Sequence, residues 1–185
     1  GHIGMELVKL LRDRGAKLYV SDLDSASVER AVTEYGAEAV KPEDIYDVNA
    51  DIFAPCGLEG AINPDTLPRL KCKIVCGTAN NQLSSLEVGD ELHARGILYA
   101  PDYAVNAGGV MNVSLEIDGY NRERAMRLIR SIYHNLGRIF ALSQSEGIAP
   151  QRAADQIAES RILSIGKLKM PLGPSTPRRG TLRGN

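Results

Sequence analysis

The stretch "GHIGMELVKLLRDRGAKLYVSD", residues 1–22, decides the fold class. Two glycines, at positions 1 and 4, open an apolar-periodic segment that stops at Gly15, and this pattern predicts a helix. The apolar run over 17–22 predicts a buried strand that ends in Asp22. The stretch therefore predicts the helix and the following strand of a βαβ unit, although a flexible start of the chain is the alternative interpretation.

The glycine spacing and the position of the acidic residue indicate a phosphate-binding turn. In a G-x-G-x-x-G turn the second glycine lets the backbone approach a pyrophosphate, and the third lets helix and strand pack closely. Gly1 and Gly4 have the spacing of these two glycines, with His2 and Ile3 between them. Asp22 stands where an acidic residue binds the adenosine ribose, and its carboxylate would repel the 2′-phosphate of NADP. We expect these five residues to bind NAD, and a plain βαβ start is the alternative.

Beyond this unit, short apolar runs alternate with amphipathic segments. Residues 24–36 and 84–96 predict helices, 51–56 and 97–103 predict strands, and 73–81 predict a strand that runs into a polar loop. Strands that are apolar on both faces are typical of a parallel sheet covered by helices. The predicted fold is α/β, a Rossmann-type doubly wound parallel sheet. We expect it to lack its first strand, which is central in the order 3-2-1-4-5-6.

Helices alone are predicted after residue 120. Residues 121–147 carry apolar side chains at three- and four-residue spacing, and 149–163 predict a further helix. The tail from Pro171 is rich in Pro, Gly and Arg and has no apolar period. The predicted organisation is an NAD-binding domain over 1–120, C-terminal helices over 121–170 that pack on it, and a flexible tail over 171–185.

Composition excludes several classes of function. Lys and Arg number 22 against 23 Asp and Glu, so the chain does not have the basic surplus of a nucleic-acid binder. No apolar run reaches membrane-spanning length. Three cysteines (Cys56, Cys72 and Cys76) without CxxC spacing, and scattered histidines, predict neither a disulfide framework nor a metal site. We therefore expect a cytoplasmic protein with reduced thiols and no membrane or nucleic-acid partner.

Two loops at predicted strand ends carry candidate ligand-binding residues. "APCG" (54–57) contains Cys56 and Gly57, and "GTANNQ" (77–82) contains Ala79, Asn80 and Asn81. Ligands bind open α/β sheets at the carboxyl ends of the strands. Asparagine amides both donate and accept, which suits a ribose hydroxyl or a carboxamide. We expect these residues to bind the cofactor, and ordinary turn residues that bond their own backbone are the alternative.

The third candidate loop is "PDYAVNAGGVMNVSLE", residues 101–116. Asn106 precedes a small-residue step that opens a helix, and Val110 and Val113 share one face of that helix. The alternative interpretation is a helix-capping asparagine followed by two core valines.

Taken together, "VSDLD", "DIFAPCGLEGAIN", "GTANNQL", "YAPDYAVNAGGVMNV" and "GYNRERA" resemble the cofactor-binding domain of the amino-acid dehydrogenases acting on Glu, Leu, Phe and Val. The resemblance covers about residues 1–163 and is closest to the leucine-specific members. It implies NAD-dependent oxidative deamination of a branched-chain L-amino acid (leucine, also valine or isoleucine) to its 2-oxo acid, ammonium and NADH. Phenylalanine or valine dehydrogenase, and a non-catalytic dinucleotide-binding module, are the alternatives.

The resemblance also implies roles for single residues. Asn80 lies near the nicotinamide ribose with Asn81 beside it, and Asn106 holds the nicotinamide end or the substrate. Val110 and Val113 match positions that line the side-chain pocket, where two valines fit a branched aliphatic substrate.

Catalysis in this family uses a lysine and an aspartate from an N-terminal substrate domain. None of the seven lysines lies in a loop assigned to the ligand side, so we expect no catalytic residue in this chain and no turnover by the isolated 185 residues. The resemblance further implies a homo-oligomer for the full-length protein, with the helix over 121–147 reaching toward the substrate domain.

Overall fold

The computed structural model describes residues 1–57, 59–116 and 119–167. Helices and short strands alternate as far as residue 99, and helices alone follow. The strands are β1 (Tyr19–Val20), β2 (Glu38–Ala39), β3 (Ile52–Phe53), β4 (Ile74–Val75) and β5 (Leu98–Tyr99). The helices are α1 (His2–Arg12), α2 (Ser25–Tyr35), α3 (Leu86–Ala94), α4 (Asp102–Val105), α5 (Gly108–Ser114), α6 (Arg122–Glu146) and α7 (Pro150–Lys167).

The strands are parallel and form two groups. β1 pairs with β2, and β4 lies between β3 and β5 with Ile74 opposite both Ile52 and Leu98. A cavity of about 470 Å³ separates the groups, lined by Tyr19 of β1, Phe53 of β3 and apolar side chains of α1. In a doubly wound sheet this is the place of the first strand, between the second and the fourth. The predicted α/β fold without its first strand is confirmed.

Local signals in the sequence set the ends of the helices. The side chain of Asp24 accepts hydrogen bonds from Ala26 N and Ser27 N at 3.3 and 3.2 Å, which caps α2. Asn121 caps α6 in the same way. Both helices are followed by a glycine in the left-handed conformation, Gly36 and Gly147, where other residues are strained.

Two hydrophobic clusters stabilise the fold. The first surrounds β4 and α3 and contains the fully buried Ile62, Leu67 and Leu92. The second joins α6 to α7 around Ile139 and Ala153. α7 also reaches α3, so the C-terminal helices pack on the β3–β5 group. The domain boundary at residue 120 stays a prediction, and residues 168–185, with the tail predicted over 171–185, lie outside the described residues.

One predicted element differs from the structure. The strand expected over 97–103 ends at Tyr99, and a helical turn, α4, begins at Asp102. Pro101 explains the change because its fixed φ suits the start of a helix and it has no N–H to donate to a strand. No helix among the described residues is long and apolar enough to cross a membrane.

Candidate functional site

Three loops meet where the strands of the larger group end. Because β3, β4 and β5 are parallel, the loops 54–57, 77–82 and 101–106 that follow them leave the sheet on the same side. We call these three loops the carboxyl edge. Every cofactor-binding residue predicted beyond Asp22 lies on it.

The start of α1 contacts Asp22. The amino group of Gly1 lies 2.9 Å from Oδ2 of Asp22, whose Oδ1 accepts a hydrogen bond from Asp24 N at 3.1 Å. These bonds, the Gly1 amino group first, hold the pKa of the Asp22 carboxyl below its ordinary value. No side chain caps α1 and its first turn carries no acidic residue. The backbone N–H groups of residues 2–4, with His2 and Ile3 exposed, are therefore available to an anion.

Gly4 joins α1 to the carboxyl edge. A Cβ added at Gly4 would lie 3.4 Å from Cβ of Cys56, so the helix already packs closely on the residue that follows β3. Cys56 is half-buried and its thiol donates to Ala54 O at 3.3 Å, whereas Gly57 is exposed with open space around it. The predicted third glycine thus lies beside the loop after β3, where an added Cβ would be in ordinary van der Waals contact with Cys56.

The loops after β3 and β4 are joined at Gly77, a residue that the sequence reasoning missed. A Cβ at Gly77 would lie 2.1 Å from the carbonyl oxygen of Pro55, which real structures do not allow. This same oxygen accepts hydrogen bonds from Thr78 N at 2.9 Å and Ala79 N at 3.0 Å. A glycine directly after a predicted strand was the available signal for such a close backbone approach.

Asn80 and Asn106 form the next contact along the edge. Asn106 Nδ2 donates to Asn80 Oδ1 at 2.6 Å and lies 3.4 Å from the carbonyl oxygen of the buried Ala79. Asn80 Nδ2 and Asn106 Oδ1 make no hydrogen bond within the part of the chain that the structure describes. Two polar atoms at this junction can therefore meet a ligand.

Asn81 points elsewhere. Its Nδ2 donates to Glu59 Oε1 at 2.7 Å, and its carbonyl accepts from Gly60 N at 2.7 Å. Its φ of 49° places it in the left-handed region, which asparagine tolerates better than most residues. The side chain of Asn81 thus ties the loop to residues 59–60, and its predicted role toward a ligand stays a prediction.

Val110 and Val113 lie on the outer face of α5. Their side chains are 69% and 59% exposed, so the interpretation of both as core residues is wrong. The opposite side of α5 packs on α6, where a Cβ added at Gly108 would lie 4.0 Å from side-chain atoms of Ile129 and Ile132. The structure therefore leaves both valines exposed, and their place in a side-chain pocket stays a prediction.

Charged groups elsewhere are paired or exposed. Lys9, Lys17, Lys41, Lys71 and Lys73 are all exposed. Hydrogen bonds raise the pKa of two of them, Lys17 through Tyr19 and Glu38 and Lys73 through Asp51, which is opposite to the direction a proton-abstracting lysine needs. Within residues 1–57, 59–116 and 119–167, no three His, Cys, Asp or Glu side chains are grouped to hold a metal ion.

A model of the Glutamate/Leucine/Phenylalanine/Valine dehydrogenase family matches residues 2–162. The chain belongs to this dehydrogenase family. It is 50% identical to leucine dehydrogenase of Geobacillus stearothermophilus over 171 residues, 92% of this chain and 47% of that protein. It is 39% identical to phenylalanine dehydrogenase of Caldalkalibacillus thermarum over 99% of this chain and 51% of that protein.

Solved dehydrogenase structures show the same architecture. L-tryptophan dehydrogenase from Nostoc punctiforme superposes with a TM-score of 0.87 at 39% identity, over 90% of this chain and 50% of that one. The chain therefore spans about half the length of the relatives it matches. The family resemblance inferred from the sequence blocks is confirmed, and this dehydrogenase family implies a nucleotide cofactor.

Proposed function

We propose that the chain is the cofactor-binding part of an NAD-dependent dehydrogenase that oxidatively deaminates a branched-chain L-amino acid to its 2-oxo acid. One observation carries the proposal, a continuous series of contacts from the acidic residue after β1 to the loop after β5. The contacts are Asp22 with Gly1, Gly4 with Cys56, Pro55 with Gly77 to Ala79, and Asn80 with Asn106.

The first half of this series fits the adenosine and pyrophosphate parts of NAD. The uncapped N–H groups at the start of α1 suit the pyrophosphate charge, and Gly1 and Gly4 leave room for it. Asp22, 37% exposed, accepts from ribose hydroxyls and disfavours a 2′-phosphate. NAD is therefore proposed over NADP. When bound, NAD supplies a hydride acceptor for the substrate carbon.

The second half fits the nicotinamide end. Asn80 and Asn106 offer one donor and one acceptor at their junction, which suits the ribose hydroxyls and the carboxamide. Cys56 and Gly57 bound the same edge, and Ala79 and Asn81 shape the loop that presents Asn80. These residues hold and orient the cofactor, and we assign the proton-abstracting group to none of the described side chains.

Val110 and Val113 are proposed to line the substrate side-chain pocket. An aliphatic wall of two valines favours leucine, valine and isoleucine over glutamate, whose side-chain carboxylate needs a polar partner. The 50% identity to a leucine dehydrogenase supports the aliphatic choice. Relatives named for phenylalanine and tryptophan, at 39% identity, make an aromatic substrate the second candidate.

The test uses the protein encoded by the complete reading frame. NADH formation is followed with L-leucine, L-valine, L-isoleucine, L-phenylalanine, L-tryptophan and L-glutamate, each with NAD and with NADP. We expect the highest kcat/KM with L-leucine and NAD. A preference for an aromatic substrate would replace the aliphatic assignment. Binding of NAD without turnover of any amino acid would show the non-catalytic module instead.

Two further properties stay predictions. A homo-oligomer is expected for the full-length protein, and sedimentation of that protein measures it. Three free cysteines are in keeping with a reducing compartment such as the cytoplasm.

A further inference from the structure

A buried carboxylate lies on the carboxyl edge together with Asn80 and Asn106. Asp102, the first residue of α4, is only 7% exposed. Its Oδ2 accepts a hydrogen bond from Gln82 N at 2.8 Å, and its Oδ1 accepts from Tyr103 N at 2.6 Å. A buried carboxylate is costly unless it is hydrogen-bonded, and bonds from backbone N–H groups to a carboxylate are among the strong ones.

The bond to Gln82 fixes the loop that carries Asn80. Gln82 is fully buried, and its Nε2 donates to the carbonyl oxygen of Ala79 at 2.9 Å, which closes the loop on itself. Asp102 holds this closed loop at one end, through the backbone of Gln82. The Pro55 carbonyl holds it at the other end, through Thr78 N and Ala79 N.

The backbone of Asp102 fixes the second asparagine. Asn106 N donates to Asp102 O at 2.8 Å across the single turn of α4. Asp102 N in turn lies 3.2 Å from the hydroxyl of Tyr99, whose pKa burial raises, so that the hydroxyl stays neutral. One residue thus connects the end of β5, the start of α4 and the loop after β4.

We propose that Asp102 is a positioning residue that holds Asn80 against Asn106 and thereby places the nicotinamide end of the cofactor. The proposal rests on the proposed function. Asp102 itself is buried and acts through Asn80 and Asn106, whose side chains each keep a polar atom without a hydrogen bond to the described residues. A displacement of 1 Å at such a site can cost about 100-fold in rate.

The test compares three variants of the protein encoded by the complete reading frame. In Asp102→Asn the carboxamide has a single oxygen to accept from the two backbone N–H groups that the carboxylate binds. One of these N–H groups therefore faces the NH₂ of the new side chain, which cannot accept its hydrogen bond. In Asp102→Ser the hydroxyl keeps an acceptor at the start of α4, but the shorter side chain does not reach Gln82 N. This variant is measured in place of Asp102→Asn if that protein does not fold. Asp155→Asn is the matched control, because Asp155 of α7 accepts a hydrogen bond from the Tyr103 hydroxyl at 3.2 Å and, among the described residues, makes none with the loop 77–82 that carries Asn80.

Three readouts separate positioning from general destabilisation. They are kcat and KM for NAD with the best amino-acid substrate, the inhibition constant of ADP, and amide hydrogen exchange in a peptide covering 78–84. ADP contains the adenosine and diphosphate parts of NAD, which are assigned to α1 and Asp22, and lacks both the nicotinamide and its ribose.

For both Asp102 variants we expect kcat/KM for NAD to fall by at least about tenfold and exchange over 78–84 to accelerate by a similar factor. The ADP constant should change by less than about twofold, and Asp155→Asn should leave all three readouts near wild type. The proposal is overturned if kcat/KM is unchanged in both variants, or if ADP affinity falls as far as that of NAD.

Failure of the proposed function would look different. The wild-type protein would then turn over no amino acid. Exchange over 78–84 and the affinity for NAD compared with that for ADP still test the role of Asp102, because neither requires turnover. Equal losses for both ligands, or unchanged exchange, would overturn the inference on their own.

Discussion

Substitution of Gly77 by alanine tests the packing that brings the carboxyl edge together. The new Cβ would stand 2.1 Å from Pro55 O, 2.5 Å from Pro55 N and 2.7 Å from Pro55 C. All three are backbone atoms, so no side-chain rotation relieves the clash. The loop after β4 must move by roughly 1.4 Å to reach ordinary contact distance, because carbon–oxygen and carbon–carbon contacts are optimal near 3.5 Å.

The magnitude follows from the contacts that this movement disturbs. Thr78 N and Ala79 N both donate to Pro55 O, and each bond contributes about 1 kcal/mol. Overpacking adds about 1–3 kcal/mol. The free energy of unfolding should therefore fall by about 3–5 kcal/mol, which lowers the Tm of a domain of this size by roughly 10 °C.

Thermal unfolding by circular dichroism measures this, with Gly57→Ala as the control. Gly57 follows the neighbouring strand, has nothing within 4 Å of its added Cβ and is not in the left-handed region. The control should change the free energy of unfolding by less than about 0.5 kcal/mol. A Gly77→Ala protein that melts within 2 °C of the control would refute the reasoning, since a shift that small corresponds to about 1 kcal/mol or less.

Three further predictions concern charge and specificity. Asp22→Asn should raise kcat/KM for NADP relative to kcat/KM for NAD by about fivefold, since a carboxylate 37% exposed repels a phosphate by only about 1 kcal/mol. Steady-state kinetics with both cofactors measures this ratio. Val110→Ala should shift kcat/KM from leucine toward phenylalanine by about tenfold, because it enlarges the proposed pocket, and no shift would place the pocket elsewhere. Arg152 lowers the pKa of Asp90 below its ordinary value of 3.8, so the stability that this pair contributes is present above that value and lost as the pH falls through the lowered pKa. Asp90→Asn should therefore lower Tm slightly at neutral pH and leave it unchanged near pH 2. The loss in the free energy of unfolding at neutral pH should be less than about 1 kcal/mol, because both side chains of the pair are 43% exposed.

The order of the elements could be predicted because each has a local signal. Asp24 before α2 and Gly147 after α6 stand where the structure begins and ends those helices. The gap between β1 and β3 followed from the known strand order of doubly wound sheets. α4 was missed because four residues are too few to show an apolar period, and Pro101 was the only signal of its start.

The contacts between loops could not be predicted. Gly77 against Pro55, and Asp102 against Gln82, join residues about twenty positions apart whose loops meet only when the strands pair. From the sequence alone an aspartate is expected at the surface, because aspartate is mostly exposed unless it is paired. Such pairs need the fold before they can be recognised.

Hydrogen exchange with and without NAD, in the protein encoded by the complete reading frame, tests the central claim most directly. We expect NAD to slow exchange at the start of α1, at residues 20–24, and over 77–82 and 101–109. Most of residues 45–53 line the cavity between the two strand groups, away from the carboxyl edge, and exchange over this range should change little. Protection confined to residues 45–53 and 70–72, with none at Asp22 or over 77–82, would contradict a cofactor site at the carboxyl edge.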